Sequence, residues 1–407
     1  MDKLVEGLKI SKRTAYVAIL TMGIVSMLGD IVYESGRGIA PDYLMFLGAS
    51  ALLVGVVSGA GEFLGYGARL ISGSLSDKSK AYWLFIFAGY GLILAIPLMG
   101  FTFSLELVIA LLLLERLGKA LRSPSRDTVV SIISKNVGSG KAFGLHEAID
   151  QIGAIIGPLL FGAILFFTAN SYPIAFGFLL LPFALMVIAL FYTYKKVGKS
   201  VDIEVKTIKD KQAPLTRSFW IYCIAVFLNT LGLIPVALIL FVGSSILQPA
   251  GQAWMVPLLY VVVQAVDAPM ALVSGHLFDK LGVKLLVFPL ILAVLPVFFI
   301  SYGGLIGVVA ACVAFGFVLG MQESIYRAAV CEFVPLGKRG TAYGVFNTVL
   351  GLGTLGSGVI FGFLLDSGYS MIILVGFALA LQISAIITLS RSKQAFEQCQ
   401  EDANLKS

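Results

Sequence analysis

Runs of apolar residues long enough to cross a bilayer recur about twelve times along this chain, and no other feature limits its fold so tightly. About 30 Å of hydrocarbon takes roughly 20 helical residues. The runs fall near 14–34, 47–70, 82–101, 105–123, 142–168, 173–194, 218–244, 253–275, 284–302, 304–327, 341–365 and 369–390. With 58% hydrophobic and 13% charged residues and a mean hydropathy of +0.95, a water-soluble fold would expose apolar surface and aggregate. The 44 glycines and 14 prolines argue against long soluble helices, but membrane helices accept them where neighbours approach closely. The first run lacks the short apolar core and small residues of a cleavable signal peptide.

Cations set the orientation. Lys3, Lys9, Lys12, Arg13, Lys78, Lys80, Arg122, Arg126, Lys135, Lys141, Lys280, Lys284, Lys338, Arg339, Arg391, Lys393 and the 195–217 segment fall on alternate loops, and Arg37 is the clear exception on the other side. With an even number of spans this bias places both termini in the cytoplasm. The expectation is an all-α, multi-pass protein of a prokaryotic cell membrane, acting as a monomer. The net charge of +6 reads as a topological signal, which leaves nucleic acid without support as a partner. Residues 195–217 are Lys-rich and polar, and suit a cytoplasmic linker against anionic headgroups. They divide the chain into bundles at 1–194 and 218–407.

Those halves repeat one another. KAFGLHEAIDQIGAIIGPLLFGAIL, from Lys141 to Leu165, returns without gaps as TAYGVFNTVLGLGTLGSGVIFGFLL, from Thr341 to Leu365, at an offset of 341 − 141 = 200. SGSLSDK, from Ser72 to Lys78, returns as SGHLFDK, from Ser274 to Lys280. A parallel duplication of a membrane bundle leaves this signature. The copies differ where His146, Glu147 and Asp150 give way to Phe346, Asn347 and Leu350. One half therefore keeps ionisable groups that the other lacks.

Cys223, Cys312, Cys331 and Cys399 are isolated, so no disulfide framework or zinc site follows, and two histidines exclude a multi-histidine metal centre. No metal or cofactor is expected. An enzyme is the weakest reading, since the sequence shows no nucleophile–base pair, phosphate loop or metal cluster.

Polar residues inside the runs are the candidate site. Asp30, Glu34 and Arg37 are spaced i, i+4, i+7 on one helical face. Arg37 and Asp42 read as a solvated outer helix end, while Asp30 lies deeper and needs a cavity or a partner. Glu62 sits among small residues seven positions before Arg69 and faces inward, toward a solute or a neighbouring helix. Glu115, Lys119 and Arg122 are again i, i+4, i+7, which predicts a Glu115–Lys119 ion pair, with Arg116 adjacent. His146 and Asp150 share a face, and Asp150 lies roughly 13 Å into its helix at about 1.5 Å per residue. A protonated carboxyl costs far less there than a charged one, which makes proton uptake sensitive to access. In the second half the intramembrane polar candidates are Asn229, Gln264, Asp267, Gln322, Glu323, Arg327 and Asn347. Glu323 and Arg327 are spaced to satisfy each other, and Tyr260 and Tyr326 suit either a cavity wall or packing.

Gly73, Leu75, Asp77, Lys78 and their counterparts Gly275, Leu277, Asp279, Lys280, Gly282 and Lys284 resemble the short cytoplasmic loop motif G-x-L-x-D-[KR]-x-G-[KR] of the major facilitator superfamily, with Ser79 read at the first copy's glycine position. Gly153, Gly157, Pro158 and Gly162 resemble the fifth-helix G-x-x-x-G-P-x-x-G-G signature of its exporting, antiporter-like branches, with Phe161 replacing one glycine. Arg116 resembles the family's fourth-helix arginine, although Ala120 stands where glycine is usual. The resemblance implies two six-helix bundles around a central cavity, moving by rocking alternation, with Asp77 and Asp279 in gating loops. It implies secondary transport of a small molecule, with proton-coupled efflux leading and a divalent-cation exporter or organic-anion exchanger as rivals. A receptor or lipid-handling scaffold that moves no solute is the alternative of another class. On the leading reading Glu147 and Asp150, with His146 as accessory, take up protons as substrate leaves, and Arg116 is their alternating partner.

Overall fold

The computed structural model describes residues 12–134, 138–204, 215–334 and 339–404, and all regular structure among them is helical. Lys3, Lys9, Lys135, Lys338 and linker residues 205–214 lie outside the described residues. Two long helices come first, α1 (Lys12–Phe46) and α2 (Ala51–Ser79). Next, α3 (Tyr82–Gly91) continues through short turns to Phe101. It is followed by α4 (Leu105–Ser134), α5 (Ser139–Phe167) and α6, which runs as Tyr172–Phe178 and Leu180–Glu204. The chain continues with α7 (Arg217–Leu231), α8 (Val236–Leu247), α9 (Val256–Leu281) and α10 (Leu295–Tyr302). The last helices are α11 (Gly304–Met321), α12 (Arg339–Asp366) and α13 (Met371–Asn404).

Among the described residues, ten stretches are long and apolar enough to cross a membrane, against about twelve expected. The difference has two sources. Ala253–Tyr302 counts as one stretch of 50 residues, although Gly282 (φ +58°) and a 3-10 segment over Gly282–Leu286 interrupt it. The 30-residue α4 carries Glu106, Glu115, Arg116, Lys119 and Arg122, too many charges to count as apolar.

By contacts the chain forms two compact units, Met1–Ile39 with Ala68–Lys209, and Ala40–Gly67 with Asp210–Ser407. In the first, α5 packs along α1 in constant register. Gly153 meets the Met27 backbone carbonyl, and a Cβ on Gly157 would lie 2.6 Å from the Ile31 carbonyl oxygen. Since 153 − 27 = 157 − 31 = 126, the two helices ascend together one turn per step, and only glycine permits backbones this close. Pro158 is buried on the same helix, and so is Gly162. Gly89 and Gly118 likewise bring α3 against α4.

In the second unit, a Cβ on Gly353 of α12 would lie 3.2 Å from the Phe227 carbonyl oxygen of α7. Gly153–Met27 and Gly353–Phe227 differ by 200 at both residues, so the sequence repeat extends into local packing. A longer seam joins α2 and α12: Ala51 and Leu52 meet Gly362, Gly55 meets Gly358, Gly59 meets Leu355, and Phe63 meets Gly351. Paired numbers rise on one helix as they fall on the other, which is antiparallel packing through small residues. Tyr222 stacks on Phe333 and Phe346 at 5.1 and 6.2 Å in the core.

Four expectations change. The solvated helix end at Arg37 and Asp42 is instead continuous helix to Phe46. Asp42 is fully buried, and its backbone and Oδ1 oxygens accept from Gln248 Nε2, each at 2.8 Å. The gating motifs are not loops: Gly73, Asp77 and Lys78 lie within α2, and Gly275, Asp279 and Lys280 within α9. The glycine position of the first copy is Lys80, not Ser79, because Lys80 and Gly282 both adopt φ +58°. Residues 195–204, expected as linker, extend α6.

Candidate functional site

In the first unit the ionisable residues of α1, α4 and α5 converge. Asp30 of α1 and Asp150 of α5 lie within electrostatic reach of each other. Asp30 also faces Glu34, Lys119 and Arg122, and Asp150 faces Arg126, Glu147 and Lys119. The nitrogen of His146 and the carboxylate oxygens of Glu147 and Asp150 lie within 4.8 Å of one another, with Glu147 exposed and His146 buried. One turn of helix thus offers three donors of the kind a divalent cation accepts, among the described residues.

His146 is 3% exposed and wired inward. Its Nε2 is 3.1 Å from Ser26 Oγ, Ser26 Oγ is 2.9 Å from Tyr90 Oη, and Arg126 Nη1 donates to the same Ser26 oxygen at 3.1 Å. A hydroxyl has one proton and two lone pairs. With one lone pair taken by Arg126, Ser26 donates to either His146 or Tyr90 and accepts from the other. The chain Tyr90–Ser26–His146 therefore has two proton arrangements of opposite direction.

On α4, Glu115 pairs with Arg122 at 3.2 Å and with Arg116 at 3.8 Å, where sequence spacing pointed to Lys119. An arginine fork reaches back two turns from Arg122, and Arg122 Nη1 also donates to the Gly89 carbonyl at 3.4 Å. Lys119 turns instead to Tyr33, donating to its hydroxyl and lying 4.2 Å from the ring centroid. Arg116 lies 5.8 Å from the same centroid. The guanidinium facing both His146 and Asp150 is that of Arg126, while sequence reasoning chose Arg116. It also missed Ser26, Tyr33 and Tyr90, and assigned Lys119 to Glu115. The available signal was the stripe Lys119, Arg122 and Arg126, at two-turn helical spacing on one face.

In the second unit a network of neutral polar groups centres on Asn229. Asn229, with no exposure, accepts at Oδ1 from Gln322 Nε2 at 2.9 Å and from Tyr326 Oη at 2.8 Å. Its Nδ2 donates to Gln382 Oε1 at 2.7 Å, and its backbone oxygen accepts from Gln382 Nε2 at 3.1 Å. Gln322–Tyr326 is a π-helical turn following α11, a local widening often found at functional positions. A small cleft is bordered by Tyr66, Gln322, Glu323, Arg327, Phe346 and Asn347. Gln264 and Asp267 are buried on α9, at 5% and 2% exposure, and Glu62 is half-buried on α2.

The profile of the Major Facilitator Superfamily matches residues 14–358. The chain belongs to this superfamily. An uncharacterised protein of Mycobacterium tuberculosis (strain ATCC 25618 / H37Rv) is 36% identical over 385 residues, covering 92% of this chain and 93% of the relative. An uncharacterised MFS-type transporter of Methanocaldococcus jannaschii is 28% identical over 385 residues, covering 91% and 94%. Among solved structures, the fold recurs in the nucleoside transporter NupG, with a TM-score of 0.70 at 14% identity, covering 91% of this chain and 98% of that one. It also recurs in a peptide transporter, POT, in complex with sulfate, with a TM-score of 0.70 at 15% identity, covering 93% and 95%. At these identities the structural likeness establishes the fold.

Proposed function

We infer that this superfamily member is a secondary transporter that exports a small solute in exchange for protons by alternating access. Counting α4, and dividing Ala253–Tyr302 at Gly282, gives the twelve crossings in two groups of six that this reading uses. The observation that carries it is the pair of acids Asp30 and Asp150, which face each other and share Lys119 as a neighbouring cation. Two like charges at close quarters repel, so a proton held by either acid relieves the pair. Lys119, Arg122 and Arg126 stand close enough to compensate the acids once that proton leaves. Loading and unloading one proton therefore changes which side chains pair, on helices held in register by Gly153 and Gly157. Glu34, Glu147 and His146 border the same pair, and Tyr90–Ser26–His146 supplies a hydrogen-bonded chain beside it.

The test uses purified full-length protein in proteoliposomes with an imposed pH gradient and a pH-sensitive dye. The first solutes are those named for two fold neighbours, nucleosides and peptides. Solute-dependent proton flux is expected in wild type and falls at least tenfold in Asp30→Asn and Asp150→Asn. Unchanged flux in Asp150→Asn overturns the coupling role.

A divalent cation as cargo is the second reading, favoured by the His146, Glu147 and Asp150 donor set. Arg126 beside His146 and Asp150 weighs against it, because a fixed cation repels a mobile one. Mn²⁺ or Co²⁺ flux that fails in Glu147→Gln, with no proton flux dependent on an organic solute in wild type, would select it.

A further inference from the structure

The amide network around Asn229 has a direction, and its start is a backbone atom. Gln382 Nε2 lies 3.1 Å from the Asn229 backbone oxygen, which can only accept. That contact fixes which end of the Gln382 amide is nitrogen. Gln382 Oε1 must then face Asn229, where it accepts from Nδ2 at 2.7 Å. With its nitrogen so committed, Asn229 presents Oδ1 to Gln322 Nε2 and to the Tyr326 hydroxyl, both of which donate. Gln322 therefore keeps its nitrogen inward and turns Oε1 toward the cleft. Amide orientation, ordinarily ambiguous at a single residue, is set here over three side chains.

The scaffold resists reversal. Flipping Gln322 would oppose two carbonyl oxygens, and flipping Asn229 would oppose its nitrogen to that of Gln322. Asn229 has no exposure and Gln382 2%, so water cannot repair either mismatch. Tyr222 Oη donates to the Tyr326 backbone oxygen at 2.9 Å, which ties the π-helical turn carrying Gln322 to α7.

We propose that Gln322 is a specificity-determining acceptor, held by Gln382 through Asn229, and that the cleft selects small organic solutes bearing an N–H or O–H donor. Resting on the transporter reading above, the proposal deepens it by naming a chemical class: hydroxyl- or amino-bearing solutes with a flat face for Tyr66 and Phe346. A site built around a fixed acceptor discriminates against an analogue whose donor is methylated, because the acceptor is then desolvated without a partner.

The experiment uses matched pairs, uridine against N3-methyluridine and Ala-Gly against Ala-sarcosine, in proteoliposomes of the full chain. Wild type is expected to move the donor-bearing member of a transported pair at least tenfold faster. Gln382→Met brings that ratio within about twofold by releasing the amides, and Gln322→Met does the same at the cleft. Should Gln382→Met fail to fold, Gln322→Met decides. Equal handling of a transported pair by wild type overturns the proposal. A double-mutant cycle on thermal stability between Gln382→Met and Gln322→Met tests the relay without solute: non-additivity upholds it, and additivity overturns it. Non-additivity with no pair transported overturns the transporter reading for these solutes and leaves the relay standing.

Discussion

Asp366, the last residue of α12, caps Ala51, the first residue of α2: its Oδ1 accepts from the Ala51 N–H and its Oδ2 from the Leu52 N–H, both at 2.8 Å. First-turn N–H groups have no partner within their own helix, and a negative charge there also complements the helix dipole. A carboxylate 315 positions away supplies both. Asp366→Ala should cost about 1 kcal/mol, the usual value of a lost N-cap, and Asp366→Asn, which keeps one acceptor, roughly half. Melting temperature in detergent checks the order wild type, Asn, Ala.

Below that cap, Gly55 and Gly358 bring backbone against backbone, so neither helix can yield a side chain's width. Gly358→Ala should destabilise by about 1–3 kcal/mol through overpacking. Gly376 of α13 has open space where a Cβ would go, and Gly376→Ala should gain about 0.5–1 kcal/mol of helix propensity. Opposite signs at two helical glycines distinguish close packing from composition. Melting temperatures of matched proteins decide, and equal shifts would remove the seam as a structural requirement.

What the sequence made legible were features with periodicity or repetition. The apolar runs located most crossings, and Gly153, Gly157 and Gly353 announced close approaches before their partners were known. Partner choice was not legible, because it depends on which helix lies opposite. Arg116 and Arg126 look alike along the chain, yet only the α1/α4/α5 arrangement puts Arg126 between Ser26 and Asp150. Asp42 read as solvated because Gln248, its partner, lies 206 positions away. The relay through Gln322, Asn229 and Gln382 joins residues 93 and 153 positions apart, and no local spacing encodes it.

Lys80 offers a local test. It holds φ +58°, as Gly282 does at the corresponding point of the second copy. A side chain in that region costs about 1 kcal/mol relative to glycine. Lys80→Gly should therefore stabilise by up to about 1 kcal/mol, and Gly282→Lys should destabilise by about 1–3 kcal/mol, because Gly282 also holds ψ −147°, a region open essentially only to glycine; both are read from melting temperature. A loss on Lys80→Gly would show that the lysine makes contacts worth more than the strain.

Arg126 and Arg116 separate the roles of the α4 cations. Arg126 donates from Nη1 to Ser26 Oγ at 3.1 Å and from Nε to Asp127 Oδ1 at 3.0 Å, and it faces Asp150 and His146. Removing it frees a lone pair on Ser26, loosens the Tyr90–Ser26–His146 chain, and leaves the Asp30–Asp150 pair with Lys119 and Arg122 as its compensating charges. Removing Arg116 leaves the Glu115–Arg122 pair intact at 3.2 Å. In pH-gradient-driven transport, Arg126→Ala is expected to lose at least tenfold, and Arg126→Lys to recover part of that, since lysine restores the charge without the planar fork. Arg116→Ala is expected to lose less than threefold. If the order reverses, the partner of Asp150 during the cycle is Arg116, reached through a rearrangement of α4, and the contacts of Arg126 belong to a single resting state.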